Sequence, residues 1–280
     1  MHAIGRLMRF DKPIGTLLLL WPTCWGLLVA GEGAWPLDVW VVFLGGIVVM
    51  RAAGCVINDL ADSQFDSHVE RTQVRPLATS ELSRKTAWWV FAGLMGVAFV
   101  LACQLNALAF RLAWVAAGLV LLYPLTKRFF FCPQAILGLA FSMGILMAFA
   151  QIQSHIPMEA WLLFGLSALW AIIYDTQYAM VDRPDDRKLG LRSSAIWFGE
   201  ADRLILVSLS CLKLAGWAFF GYWQGWVWPF WCAWGITFWL FIVQWTLIWS
   251  RDRAGCFRAF LNNQWIGMVL CIGIAASLWR

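Results

Sequence analysis

Apolar residues along this chain come in long blocks rather than in alternation. A bilayer span needs about 20 mainly apolar residues, and blocks of that kind lie at about 14–32, 38–58, 86–104, 107–124, 133–152, 159–178, 203–222, 226–250 and 261–279. They predict an all-α, polytopic membrane protein of nine transmembrane helices, forming a single domain over 1–280. Two connections depart from the short turns elsewhere: polar loops about 59–85 and 179–202, each opening on a run of acids after the predicted second and sixth helices. Their equivalent places in the order of helices are compatible with a weak internal repeat of four-helix units.

Composition agrees with the blocks. The chain is 61% hydrophobic and 13% charged, against roughly 25% charged for an ordinary soluble domain. No A-x-A-like cleavage site follows the first apolar run, so that run reads as a retained span, and the lack of an Arg- and Ser-rich presequence points to a bacterial inner membrane rather than a mitochondrial one. Lys and Arg fall in alternate connections: Arg6, Arg9 and Lys12; then Arg71, Arg75, Arg84 and Lys85; then Lys127 and Arg128; then Arg183, Arg187, Lys188, Arg192 and Arg203; then Arg251, Arg253 and Arg258. "EGAWPLD", "QSHIPMEA" and "YWQGW" hold neither. The positive-inside rule then predicts a cytoplasmic amino terminus, cytoplasmic acid-bearing loops, an outside carboxyl terminus and an odd number of spans. The net charge of +5 is accounted for by topology, and no nucleic acid partner is expected. Protein partners are not indicated. Eight scattered cysteines, without C-x-x-C or metal spacing, read as small buried apolar residues, and the 21 tryptophans as interfacial and lipid-facing bulk.

The acids carry the candidate chemistry. At about 100° per residue, and with Arg51 as zero, Asn58 falls near −20°, Asp62 near +20°, Asp66 near +60° and Asp59 near +80° if the helix continues that far. From Asp175, Tyr178 falls near −60° and Asp182 near −20°; Asp186 would follow near +20°, but Pro184 is expected to break the helix first. A lone acidic cluster after a helix is more often a solvated loop. Two clusters on one side, each joined to basic residues, favour a site. Crowded carboxylates repel unless a cation lies among them, and hard oxygen donors without His or Cys favour magnesium, which is commonly shared with substrate phosphates. Arg71, Arg75, Lys127, Arg128, Lys188 and Arg192, all on the acid-bearing side, suit phosphate oxygens. For Arg84 and Lys85 the positive-inside rule suffices; His68 reads as a loop residue, and Tyr178 as either a packing aromatic or a ligand. Acids for a metal and bases for phosphate at a membrane surface imply a diphosphate whose remainder is lipid. Arg51, inside an apolar span, is a functional candidate because an ionisable group there is costly.

"NDLADSQFD" followed by "RTQVRPL", "YPLTKR" with "PQAILG", and "DTQYAMVDRPDD" with "LRSSAIWFG" resemble the UbiA superfamily of intramembrane prenyltransferases. "MRFDKPIGTLLLLWPTCWGL" is similar to its 4-hydroxybenzoate polyprenyltransferase branch, of ubiquinone biosynthesis. The likeness spans about residues 6 to 200. It implies nine helices around a central cavity, with Mg2+ and polyprenyl diphosphate beneath the cytoplasmic loops. It carries metal roles to Asn58, Asp62 and Asp66, and to Asp175, Asp182 and Asp186. Arg128 matches the family's basic residue before the fifth helix, while Arg192 stands where lysine is common, keeping the charge but not the point-donor geometry. The likeness places Arg51 in the central cavity near the acceptor, where it is expected to pair with the carboxylate of 4-hydroxybenzoate; Asp182 is a candidate for assisting the phenol, and the group that removes the ring proton is left open. Alternatives are another acceptor (homogentisate, a naphthoate or a haem), a secondary transporter, which acids at helix ends rather than at mid-membrane count against, or a structural subunit, which would not need two acid clusters.

Overall fold

The computed structural model describes residues 3–34, 36–63 and 72–279, which form helices and no strands. A short α1 (Ala3–Leu7) precedes α2 (Ile14–Ala30), α3 (Leu37–Asp62), α4 (Arg84–Ala102), α5 (Ala107–Thr126), α6 (Pro133–Gln153) and α7 (Met158–Leu189). A single turn, α8 (Ser194–Phe198), leads into α9 (Asp202–Trp223), α10 (Trp228–Ile248) and α11 (Arg253–Leu278). Among the described residues, by length and composition, eight helical stretches can cross a membrane, and α2, at 17 residues, is the shorter ninth, at the lower end of the workable range. Ser83, Asn106 and Asp252 start α4, α5 and α11 by accepting backbone N–H groups three residues on.

One expectation fails informatively. Pro184 does not end the sixth long helix: α7 runs on to Leu189, so the loop expected over 179–202 is helical for its first half. Ion pairs grip the helix on both sides of the proline, Arg183 to Asp202 and Asp185 to Arg253 at 3.1 Å. Tertiary contacts thus offset the one backbone bond that proline removes. The helix then closes on Gly190, in the left-handed region at φ 68°, with Gly190 N–H donating to Arg187 and Leu191 N–H to Asp186. This is the geometry of a Schellman cap.

Side chains pack in two main groups around these helices. α2, α6, α7, α9, α10 and α11 share the largest core, which includes Lys213, fully buried and boxed by the rings of Trp25, Trp170 and Trp217 at 5.2, 4.9 and 5.5 Å. Leu7 of α1 plugs a smaller cluster with Val56, Leu60, Leu77 and Ala87, which ties the amino-terminal segment across the end of α3. All eight cysteines are free; Cys24, Cys55, Cys132 and Cys256 are buried, whereas Cys103, Cys211 and Cys232 lie on the outer surface rather than inside.

Candidate active site

A cavity of about 1280 Å³ runs into the bundle from the end where α3 and α7 finish. Its mouth is lined by Asn58, Asp59, Asp62, Asp182 and Asp186, with Arg9, Lys12, Arg75, Lys127 and Arg192 among them. Farther in it becomes apolar, walled by Phe43, Ile47, Leu101, Leu105, Phe110 and Met147. Phe99 of α4 and Trp114 of α5 line it while standing 50% and 59% exposed, so the apolar arm opens sideways toward the lipid-facing surface between those helices.

The mouth is built from helix ends. Asp62 sits in the last turn of α3, and Lys127, directly after α5, reaches it at 2.7 Å and Asn58 Oδ1 at 3.4 Å. Burial works to lower the Lys127 pKa, but the charge and hydrogen bond of Asp62 hold it above the ordinary lysine value. Tyr123, one turn back on α5, lies within electrostatic reach of Asp175, Lys127, Asp62 and Tyr178. Arg192 donates to the Phe129 carbonyl at 2.6 Å while its own backbone N–H donates to Lys127, which pins the turn after α7 onto the connection after α5. Tyr178 faces the cavity with its ring 4.6 Å from that of Phe260.

Several expected residues fall elsewhere. Because α7 stays helical, Lys188 emerges about 140° around it from Asp175; it is 80% exposed and lies 4.0 Å from Asp185 instead of lining the cavity. Arg128 is not on the cavity wall and donates to the Ala61 carbonyl at the end of α3. Asp66 and Arg71 lie outside the described residues. Asp175 does line the cavity, but seven residues of continuous helix put it ~10.5 Å deeper than Asp182. Oxygens sharing one magnesium at about 2.1 Å each lie only some 3–4 Å apart, so the set Asp175, Asp182 and Asp186 does not close on a single ion.

Other contacts of the site are not picked out by sequence reasoning. Asp59 is 1% exposed and holds two arginines at the mouth, Arg9 at 2.8 and 2.9 Å and Arg75 at 3.0 Å. In the sequence Arg9 counts only toward topology, although its place just before the first span, in the segment carrying the family likeness, is a usable signal. Gly15 of α2 makes room for Arg51: a β-carbon there would overlap the guanidinium. Arg51 lines the cavity two turns below Asn58, and its Nε is buried with no hydrogen-bond partner among the described residues. Tyr174 lies within electrostatic reach of both Arg51 and Asp175. The cavity therefore has two polar tiers, a crowded mouth and, deeper, an arginine on α3 and an aspartate on α7.

Among the described residues no three acidic, His or Cys side chains already converge as a cage. The donors still fit a hard divalent cation. Asn58, Asp62, Asp182 and Asp186 present oxygens to one mouth, and the ammonium of Lys127 against Asp62 marks a position where positive charge is accommodated. A partial protein set completed by phosphate is the usual arrangement for magnesium.

The profile of the UbiA prenyltransferase family matches residues 19–269. A relative from Chromohalobacter salexigens, described as 4-hydroxybenzoate octaprenyltransferase, is 48% identical over 274 residues, covering 98% of this chain and 92% of the relative. Among solved structures, the apo form of a UbiA homolog from Aeropyrum pernix K1 has a TM-score of 0.83 at 22% identity, covering 96% of this chain and 98% of that one. A UbiA homolog from Archaeoglobus fulgidus, bound to GPP and Mg2+, has a TM-score of 0.70 at 18% identity, with 99% of each chain covered.

Proposed function

The chain belongs to the UbiA prenyltransferase family, and on that footing we propose that it is a 4-hydroxybenzoate polyprenyltransferase: an integral membrane enzyme of ubiquinone biosynthesis that moves a polyprenyl chain from its diphosphate to the ring carbon ortho to the hydroxyl. The observation that carries this reading is the cavity itself, with cation-binding and anion-binding groups at the mouth, an apolar arm open to lipid, and an arginine at the foot of the polar part.

In this reading the diphosphate lies at the mouth, where Arg75, Lys127 and Arg192 neutralise charge that builds on the leaving oxygen, and Arg9 joins them through Asp59. Asn58, Asp62, Asp66, Asp182 and Asp186 hold the metal. Magnesium, when bound, adds Lewis-acid stabilisation of the departing diphosphate. Preorganised positive charge in a site that excludes water lowers the barrier to breaking the allylic C–O bond. The tail occupies the arm between α4 and α5, and Tyr123, Tyr174 and Tyr178 face the polar tiers, where the cation forms away from water. Arg51 pairs with the acceptor carboxylate, which leaves the ring between the tiers. Asp182 assists the phenol. The mouth faces the cytoplasm in a bacterial inner membrane, by the distribution of Lys and Arg.

Purified protein incubated with magnesium, geranyl diphosphate and a panel of aromatic acids tests the reading. A product with the mass of geranylated 4-hydroxybenzoate is expected. Product from homogentisate or a naphthoate alone would move the acceptor, and no prenylated product from any acid would overturn the assignment.

A further inference from the structure

Electrophilic attack leaves the ring with one proton too many, and the groups that hold the metal, the diphosphate and the acceptor carboxylate do not remove it. When the ring carbon bonds to the allylic carbon, the C–O bond has broken and its electron pair has left with diphosphate. The attacked carbon then carries both the new C–C bond and its original hydrogen, and aromaticity returns only when a base takes that hydrogen as a proton. We propose that Asp175 is the catalytic base for this step, its carboxylate receiving the proton while the C–H electron pair returns to the ring. The inference rests on 4-hydroxybenzoate being the acceptor.

Three observations point to Asp175. The continuity of α7 through Pro184 sets it ~10.5 Å below Asp182 on the same face, too far to share one ion with Asp182 and Asp186, and leaves it on the cavity wall. Arg51 stands equally far below Asn58 on α3, and α3 and α7 both end at the mouth, so the arginine and the aspartate share a depth. Tyr174, also on the wall, senses both charges. A ring anchored by its carboxylate on Arg51, with its phenol toward the mouth, holds the ortho carbon just above that depth, one face toward the allylic carbon and the other within reach of Asp175. The carboxylates of the mouth suit the task less, since Asp62 is engaged by Lys127 and Asp182 lies two turns away among the groups that balance the diphosphate. A phenol, whose ordinary value lies near 10, is a poor proton acceptor at neutral pH.

The experiment compares native protein with Asp175→Asn and Asp175→Glu, using 4-hydroxybenzoate deuterated at both positions ortho to the hydroxyl. Loss of a positioned base typically costs about 10²-fold or more. Asp175→Asn is expected to lose at least about 10²-fold in kcat, with both KM values and the magnesium requirement near native. It should also show a larger isotope effect than the native enzyme, because proton removal becomes limiting. Asp175→Glu, which keeps the base, should recover part of kcat and have an isotope effect between the two; it also decides the matter if the Asn variant fails to fold. An unchanged kcat in Asp175→Asn would overturn the proposal and leave the departing diphosphate as the proton acceptor. A lower kcat with an unaltered isotope effect, or a shifted magnesium requirement, would overturn it as well, the latter by returning Asp175 to the metal. If native protein makes no product from 4-hydroxybenzoate, the acceptor assignment fails first, a result distinct from any of these.

Discussion

At the scale of single residues, the arginine at the foot of the polar cavity gives the sharpest outcomes. Removing one partner of a buried charge pair typically costs about 2–5 kcal/mol, and about 1.4 kcal/mol is one decade. Arg51→Ala is thus expected to weaken the use of 4-hydroxybenzoate by at least roughly 30-fold, with a smaller effect on prenyl diphosphate. Apparent affinities for both substrates check this; an unaltered acceptor value beside a lost donor value would assign Arg51 to the diphosphate. Gly15→Ala should imitate the defect without touching the arginine, because the added methyl takes the space of the guanidinium. At the mouth, Asp62→Ala, Asp66→Ala, Asp182→Ala and Asp186→Ala are each expected to abolish most turnover, and full activity in the presence of chelator would remove magnesium from the mechanism. Arg51 is legible in the sequence because a charge in an apolar block stands out. Gly15 is not, since its purpose is a contact between two helices that no pattern within either one records. Asp59 is visible as an acid on the α3 face, yet its commitment to Arg9 and Arg75 depends on where two other segments fold back.

At the scale of elements, apolar blocks translate well into helices, with starts and ends shifted by a few residues in most of them. The largest discrepancy, the extra turns of α7, traces to a local rule outweighed by tertiary contacts. Arg183, Asp202 and Arg251 join the end of α7 to the start of α9 and the connection before α11, with Arg251 at 2.8 Å from the same Asp202 carboxylate. Asp202 is fully buried, and such long-range pairing is invisible in "DRPDDRK" read alone. Deleting one member of a buried ion network usually costs about 3–5 kcal/mol, because the remaining charges are left uncompensated. Asp202→Ala is therefore expected to lower the thermal unfolding midpoint of the detergent-solubilised protein clearly, and to loosen protease protection around Arg183–Gly190. An unchanged midpoint would mean that the cap at Gly190 alone holds these turns. The same pairing explains how neighbouring acids part company, since Asp185 faces Arg253 while Asp186 faces the cavity.

At the scale of the whole molecule, the two acid-bearing helices end on the same side, and the basic connections collect there with them. Lys127, Arg251 and Arg253 lie at or beside helix ends on that side, Arg183 lies in the last turns of α7, and Arg75 and Arg192 line the mouth. Arg111, one turn into α5, is exposed near the opposite end, but it sits within a span rather than in a connection, where a long side chain reaches the interface at modest cost. The mouth must admit a charged diphosphate and a small aromatic acid from water, whereas the arm between α4 and α5 must admit a tail from lipid. The positive-inside rule predicts the orientation that would serve both needs: mouth toward the cytoplasm, Leu278 toward the other side. With α2 counted as a span the described residues offer nine candidate crossings, an odd number that predicts termini on opposite faces. A reporter fused after Arg280 should therefore be active only outside the cytoplasm, and reporters inserted at residues 78–82 or 190–193 only within it. An internal signal from the carboxyl-terminal fusion would mean that one helix does not cross. The 17-residue α2 would be the first to re-examine, since it is the shortest and carries Gly15 against Arg51.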